Sequence, residues 1–202
     1  MQKQTKVLAL LAERFAGWQK QGFIPSKKIE SGYNTDQPIR ERGWTHWHHL
    51  FNPRQLLVNG LIMERNFEGP KSVAVMLSTG KCLDYNARLT RWTVAAGSEK
   101  TDNVFSNQAL NTLANYGVRS LLSSQDNLRM DYKSSPVSAN APLIHTISAV
   151  TIETHSDIWI TDPPYADAVN YHELTEFFLA WYEKHIPKLF PEWYADSKRA
   201  LA

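Results

Sequence analysis

A single cysteine, Cys82, is all that the 202 residues contain. That excludes an intramolecular disulfide and any zinc site built on clustered thiolates. Long apolar runs are missing too. None is longer than Val7 to Ala12, far short of the roughly 20 residues a membrane-spanning helix needs. The lysines ahead of it are not followed by a small-residue cleavage site. These absences predict a soluble, cytoplasmic protein with no membrane anchor. Glycine is also scarce: the nine glycines never fall in a Gly-x-Gly spacing, the signature of a glycine-rich cofactor turn.

What is present is enough apolar material for a core. Apolar residues make up 43% of the chain and charged ones 21%, the balance of a globular protein of one ordinary domain. The small net charge of +2 hides a division. Residues 1–140 carry 18 Lys and Arg against 11 Asp and Glu, whereas residues 141–202 carry 4 against 9. A basic part joined to an acidic part fits a protein that meets phosphates with one surface and does its chemistry on another. It equally fits two packed halves that attract each other.

Hydrophobic spacing orders the chain. Val7, Leu8, Leu11, Phe15 and Trp18 line one helix face, ended by Gly22 and Pro25. Residues 23–50 keep no period, and their burial is expected from Tyr33, Trp44 and Trp47. Asn52 can cap a helix whose first position is Pro53, with Phe51 stapling onto Leu56 or Leu57; this helix is predicted over about 53–67. Val73 to Leu77 suits a buried strand or the start of another helix, and the helix is preferred, running to about Tyr85. The stretch 86–106 is polar and turn-rich, Asn107 to Tyr116 reads as a short helix, and 123–142 as a surface connection. Leu143 to Ile147 and Asp157 to Thr161 read as strands. An amphipathic helix follows, carrying Leu174, Phe177, Phe178 and Trp181 and stopped by Pro187. Strand, strand, helix predicts an α/β unit over 141–202, behind a mainly helical, basic region over 1–140.

Asp162-Pro163-Pro164-Tyr165 stands directly after the second predicted strand. Ligands bind outside the carboxyl ends of strands in such sheets. Two prolines fix the backbone and bring no N–H, so the carbonyls beside the Asp162 carboxylate form a rigid row of acceptors. An aromatic ring next to them can hold a flat molecule by its face while the acceptors take amine protons on its edge. The pattern suits an amino group on a planar heterocycle.

These four residues match motif IV of the amino-methyltransferases that use S-adenosylmethionine to methylate the exocyclic amine of adenine or cytosine in DNA. Tyr33 to Asp36, Trp47 to Leu56, Tyr85 to Trp92 and the approach to Asp162 resemble, in that order, a family of large adenine-specific DNA methylases often encoded beside phage-defence genes. The resemblance implies a partial Rossmann-like methyltransferase sheet in the C-terminal part and S-adenosyl-L-methionine as cofactor. It implies catalytic roles for Asp162, Pro163, Pro164 and Tyr165, with Tyr165 stacking on a flipped base. Cofactor contacts are implied for Asp162 and Ser148. Half of the cofactor pocket is nonetheless missing, since the glycine turn of motif I is absent. The chain is therefore expected to be an internal fragment or one part of a split enzyme, inactive alone, with motif I on an upstream segment or partner subunit. Two alternatives stay open: methylation of guanine N2 in RNA or of a protein amide, and a non-catalytic DNA-binding or assembly module.

Other conspicuous residues have plainer readings. His46, His48 and His49 lack carboxylates or thiolates at ligand spacing and read as surface or packing residues, so no metal is expected. Cys82 reads as a small buried hydrophobe. Trp18 and Trp181 belong to the core by spacing. Arg88 and Arg91, near Trp92, reach either the phosphates of DNA or the ends of helices.

Overall fold

The computed structural model describes residues 2–66, 72–90, 92–95, 98–101, 103–106, 109–110, 149–163 and 169–191. Its helices are α1 (Gln2–Gln21), α2 (Asp36–Arg42), α3 (Pro53–Asn66), α4 (Ser72–Tyr85), α5 (Tyr171–Tyr182) and α6 (Ile186–Leu189). A 3-10 turn, Trp47–Leu50, lies between α2 and α3. Strands β1 (Trp92–Ala95) and β2 (Ser98–Thr101) pair antiparallel, as do β3 (Phe105–Ser106) and β4 (Ala109–Leu110).

The expected α/β class is therefore corrected. The described residues are mostly helical, and their only strands form two separate antiparallel pairs, so no Rossmann-like sheet is present among them. The run Asp157 to Thr161 takes up no strand, and every residue from 149 to 163 is exposed. A continuous apolar strand is stable only where neighbours pair its backbone and cover both faces. Here Ile158, Trp159 and Ile160 remain 77%, 57% and 93% exposed. The other expected strand, 143–147, lies outside the described residues, as does the boundary near 140. Ala109 and Leu110, expected in a helix, pair in β4 instead.

The N-terminal helices follow their sequence signals. α1 ends where Gly22 takes φ +88. Its N–H donates to Gln19 and that of Phe23 to Trp18, closing the last turn on carbonyls that would otherwise lack partners. Lys184 Nζ adds a cation at this negative helix end, donating to the carbonyls of Gln19 (2.8 Å) and Lys20 (3.2 Å). At the start of α3, Gln55 N–H donates to Asn52 Oδ1 and Asn52 N–H to Gln55 Oε1, each at 2.9 Å. This reciprocal box satisfies two donors at once. α4 spans the predicted helix, with Cys82 fully buried in it. α5 stops at Tyr182, earlier than expected, because Pro187 sits in the first turn of the separate helix α6 rather than behind α5.

One aromatic core joins these helices. Phe177 and Trp181 of α5 meet Phe51 at 5.9 and 5.1 Å, and Phe177 also meets Trp47 and Phe105 edge-on. Trp18 of α1 lies on Gly60 of α3 and donates its Nε1–H to Glu64 at 3.0 Å. Tyr33, expected to be buried, is 88% exposed, while Trp44 and Trp47 are buried as expected. The acidic α5 meets the basic N-terminal part through buried carboxylates. Glu173 accepts the Asn34 N–H at 2.9 Å, and Glu176 faces Lys27 Nζ at 3.6 Å.

Candidate functional site

Asp162 and Pro163 lie on the exposed stretch 149–163, eight residues or more ahead of α5, with both residues open to solvent. Pro164, Tyr165, Ser148 and Arg91 lie outside the described residues. Asp162 and Arg88 are thus the charged site residues that can be placed, and no contact joins them. Among the described residues, clefts are lined by α1 with the start of α3, and by the C-terminal turn of α1 with residues 180–188. None includes a residue of 149–163. Asp162 and Pro163 stand outside these clefts.

Around Arg88 the geometry is more developed. α2 ends at Gly43, whose φ of +64 is a left-handed conformation that glycine takes without strain. Gly43 N–H donates to Ile39 and Trp44 N–H to Pro38, so the chain doubles back and lays Trp44 beside Arg42. The Arg42 guanidinium carbon is 5.0 Å from the Trp44 ring centroid. The turn after α4 supplies the other cation. Arg88 N–H donates to Leu50 O at 2.7 Å, and its Nη1 to His49 O at 3.3 Å. Its guanidinium carbon then lies 4.4 Å from the same indole. Each contact lies within cation–π range.

The electrostatics show how closely like charges gather here. Burial, then the charge of Arg42, pulls the Arg88 pKa below the ordinary guanidinium value. His49 is lowered by burial, then by His46 and Arg88. Thr45 N–H donates to His49 Nδ1 at 3.1 Å, so the neutral ring carries its proton on Nε2 as a further donor. The three histidines touch, with ring centroids 4.4 to 5.5 Å apart. Even so, no group of His, Cys, Asp or Glu among the described residues is arranged to hold a metal.

No family model, curated protein or solved structure matches the chain. The reading of function therefore rests on the residues themselves. Sequence reasoning picked out Arg88 but missed Arg42 and the role of Trp44 as their shared platform. The one signal for them was local, the Arg42-Gly43-Trp44 turn; the approach of Arg88, more than forty residues later, leaves none.

Proposed function

We propose that the chain supplies the amine-binding part of a DNA amino-methyltransferase that acts in the cytoplasm on an exocyclic base amine, adenine N6 in the first instance. The observation that supports this reading is the motif Asp162 to Tyr165, whose acceptors Asp162 and Pro163 stand open to solvent on an exposed stretch. The Asp162 carboxylate and the Pro163 carbonyl accept the two amine hydrogens, which orients the nitrogen lone pair away from them. Tyr165 supports the flipped base by its ring face, a contact of about 1–3 kcal/mol. The methyl donor's pocket belongs to other residues, on another segment or a partner subunit that carries the glycine turn.

The test is made in cells that carry the native gene, where any partner is also present. DNA is digested to nucleosides and its methylated adenine and cytosine are measured by mass spectrometry. Asp162→Ala is expected to abolish the modification at wild-type protein level, and Tyr165→Ala to impair it badly. Tyr165→Phe, which keeps the ring, retains most of it. Unchanged methylation in the Asp162→Ala strain would overturn the reading.

A second reading, a DNA-binding module without chemistry of its own, is favoured by the arginine cluster on Trp44. Under it, deleting the gene leaves DNA methylation unchanged.

A further inference from the structure

Two guanidiniums share one indole, and their like charges lie close together. Arg42 and Arg88 repel each other, and His49 adds a third donor to the same corner. Arg88 has no ion pair with any carboxylate among the described residues; its partners are the Trp44 ring and the His49 carbonyl. A guanidinium carries five N–H donors in a planar fork. One carbonyl and a ring face leave most of the Arg88 fork free, and the side chain is exposed. The backbone holds the cluster in place on both sides, through the Gly43 turn and through Arg88 N–H on Leu50. An oxyanion seated here would take charge-assisted hydrogen bonds from the Arg88 fork in a preset frame.

We propose that Arg42, Arg88 and His49, arrayed on Trp44, form a contact site for the phosphodiester backbone of a nucleic acid. Trp44 is only 8% exposed, so its ring orients the arginines and does not stack on a base. The site reads phosphate, not sequence. The clefts lined by α1, the start of α3 and residues 180–188 do not include these side chains, and a mononucleotide site would bury its base in a cleft. Lys28, Arg40 and Arg54 are exposed on the same basic part, which favours a polymer of phosphates over a single one. The choice of nucleic acid rests on the function proposed above; the anion site itself rests on the cluster.

The experiment measures binding of the full chain to a fluorescently labelled duplex of random sequence by anisotropy over a series of salt concentrations, without any methyl donor. Each phosphate contact contributes about 0.9 to the slope of log affinity against log salt. Arg42→Gln with Arg88→Gln is expected to weaken low-salt binding by about tenfold or more and to flatten the slope by about two contacts. Lys3→Gln with Lys6→Gln removes the same charge from exposed positions on α1 and is expected to change binding little. Arg88→Lys keeps charge without the fork and should keep the slope while losing part of the affinity. Melting curves show that each variant is folded. An unchanged slope in the arginine double variant overturns the site, as does an equal loss in the lysine control. Displacement of the duplex by inorganic phosphate at concentrations far below those of the salt series would make it a small-anion site, and equal displacement by polyglutamate would make the partner an acidic polypeptide; either also overturns it. The binding series uses no methyl donor and the methylation test no arginine variant, so failure of the phosphate site and failure of the amine-binding reading are separate results.

Discussion

Two glycines inside helices show how much a single Cβ decides in this core. Gly17 in α1 has nothing within 4 Å of the position a Cβ would take, whereas a Cβ on Gly60 in α3 would fall 2.3 Å from Trp18 Cζ3. In both helices alanine is the better former by about 0.8–1.0 kcal/mol. At Gly17 that preference acts alone, so Gly17→Ala is expected to raise stability by up to about 1 kcal/mol. At Gly60 the indole is 2% exposed and tied to Glu64, so it has no room to yield. Overpacking of this kind costs about 1–3 kcal/mol, which outweighs the propensity gain, and Gly60→Ala should be destabilised. Urea denaturation of the two variants with equal slopes tests the pair. A stabilised Gly60→Ala would show that Trp18 is not held where its contacts place it.

Among the elements, those whose signals are local were legible and those that depend on distant neighbours were not. α3 was readable because its start is written in adjacent residues, Asn52 and Pro53, and α1 because its apolar spacing sufficed, whereas the short apolar run that opens α4 suits a strand as well as a helix. The expected strand at 157–161 failed for the opposite reason. Its residues state what a strand there would bury, and the partners that would decide the matter are absent from the described residues. α5 was read half correctly. Its apolar face includes Phe177 and Trp181, but Glu173 and Glu176 are also buried, at 3% and 2%, where spacing alone assigns carboxylates to water. Their counterparts, the Asn34 N–H and Lys27, lie about 140 and 150 residues upstream. The Arg42, Trp44 and Arg88 cluster was hidden for the same reason. A consequence can be measured at α5. Lys27→Met leaves the Glu176 carboxylate buried without its counter-charge, a change that typically costs about 3–5 kcal/mol. Replacing Glu176 by Leu in the same protein removes the stranded charge and should restore a large part of that loss. A double-mutant cycle of unfolding free energies checks it, and additive single effects would show that the two charges are not coupled.

At the scale of the whole molecule, two histidines, His185 buried and His48 half-buried, fasten the turn after α1 and make the fold sensitive to acid. His48 Nδ1 donates to the Pro25 carbonyl at 3.0 Å and meets Phe15 edge-on. His185 Nε2 donates to the Gly22 carbonyl at 3.1 Å and stacks on Phe23. Donation to a carbonyl favours the protonated ring, yet burial outweighs it in both. The His48 pKa falls to about 4 through burial, then the neighbouring His49, with His46 acting in the same sense. His185 is lowered by burial, with Lys188 and Lys184 adding to it. In the unfolded chain both rings return to about 6.5. Between that value and the folded one, the unfolded state binds more protons, so stability is complete above about pH 6.5 and declines as the pH falls toward 4. Below that, His48 contributes no further loss. The melting temperature is therefore expected to drop steeply from pH 7 to pH 4.5, and to drop less steeply in a His48→Gln, His185→Gln double variant, whatever its stability at pH 7. Comparing the two slopes isolates the histidines from carboxylates, which titrate in both proteins alike. Equal slopes would mean that acid acts on the fold elsewhere than at the junction holding α1 to the aromatic core.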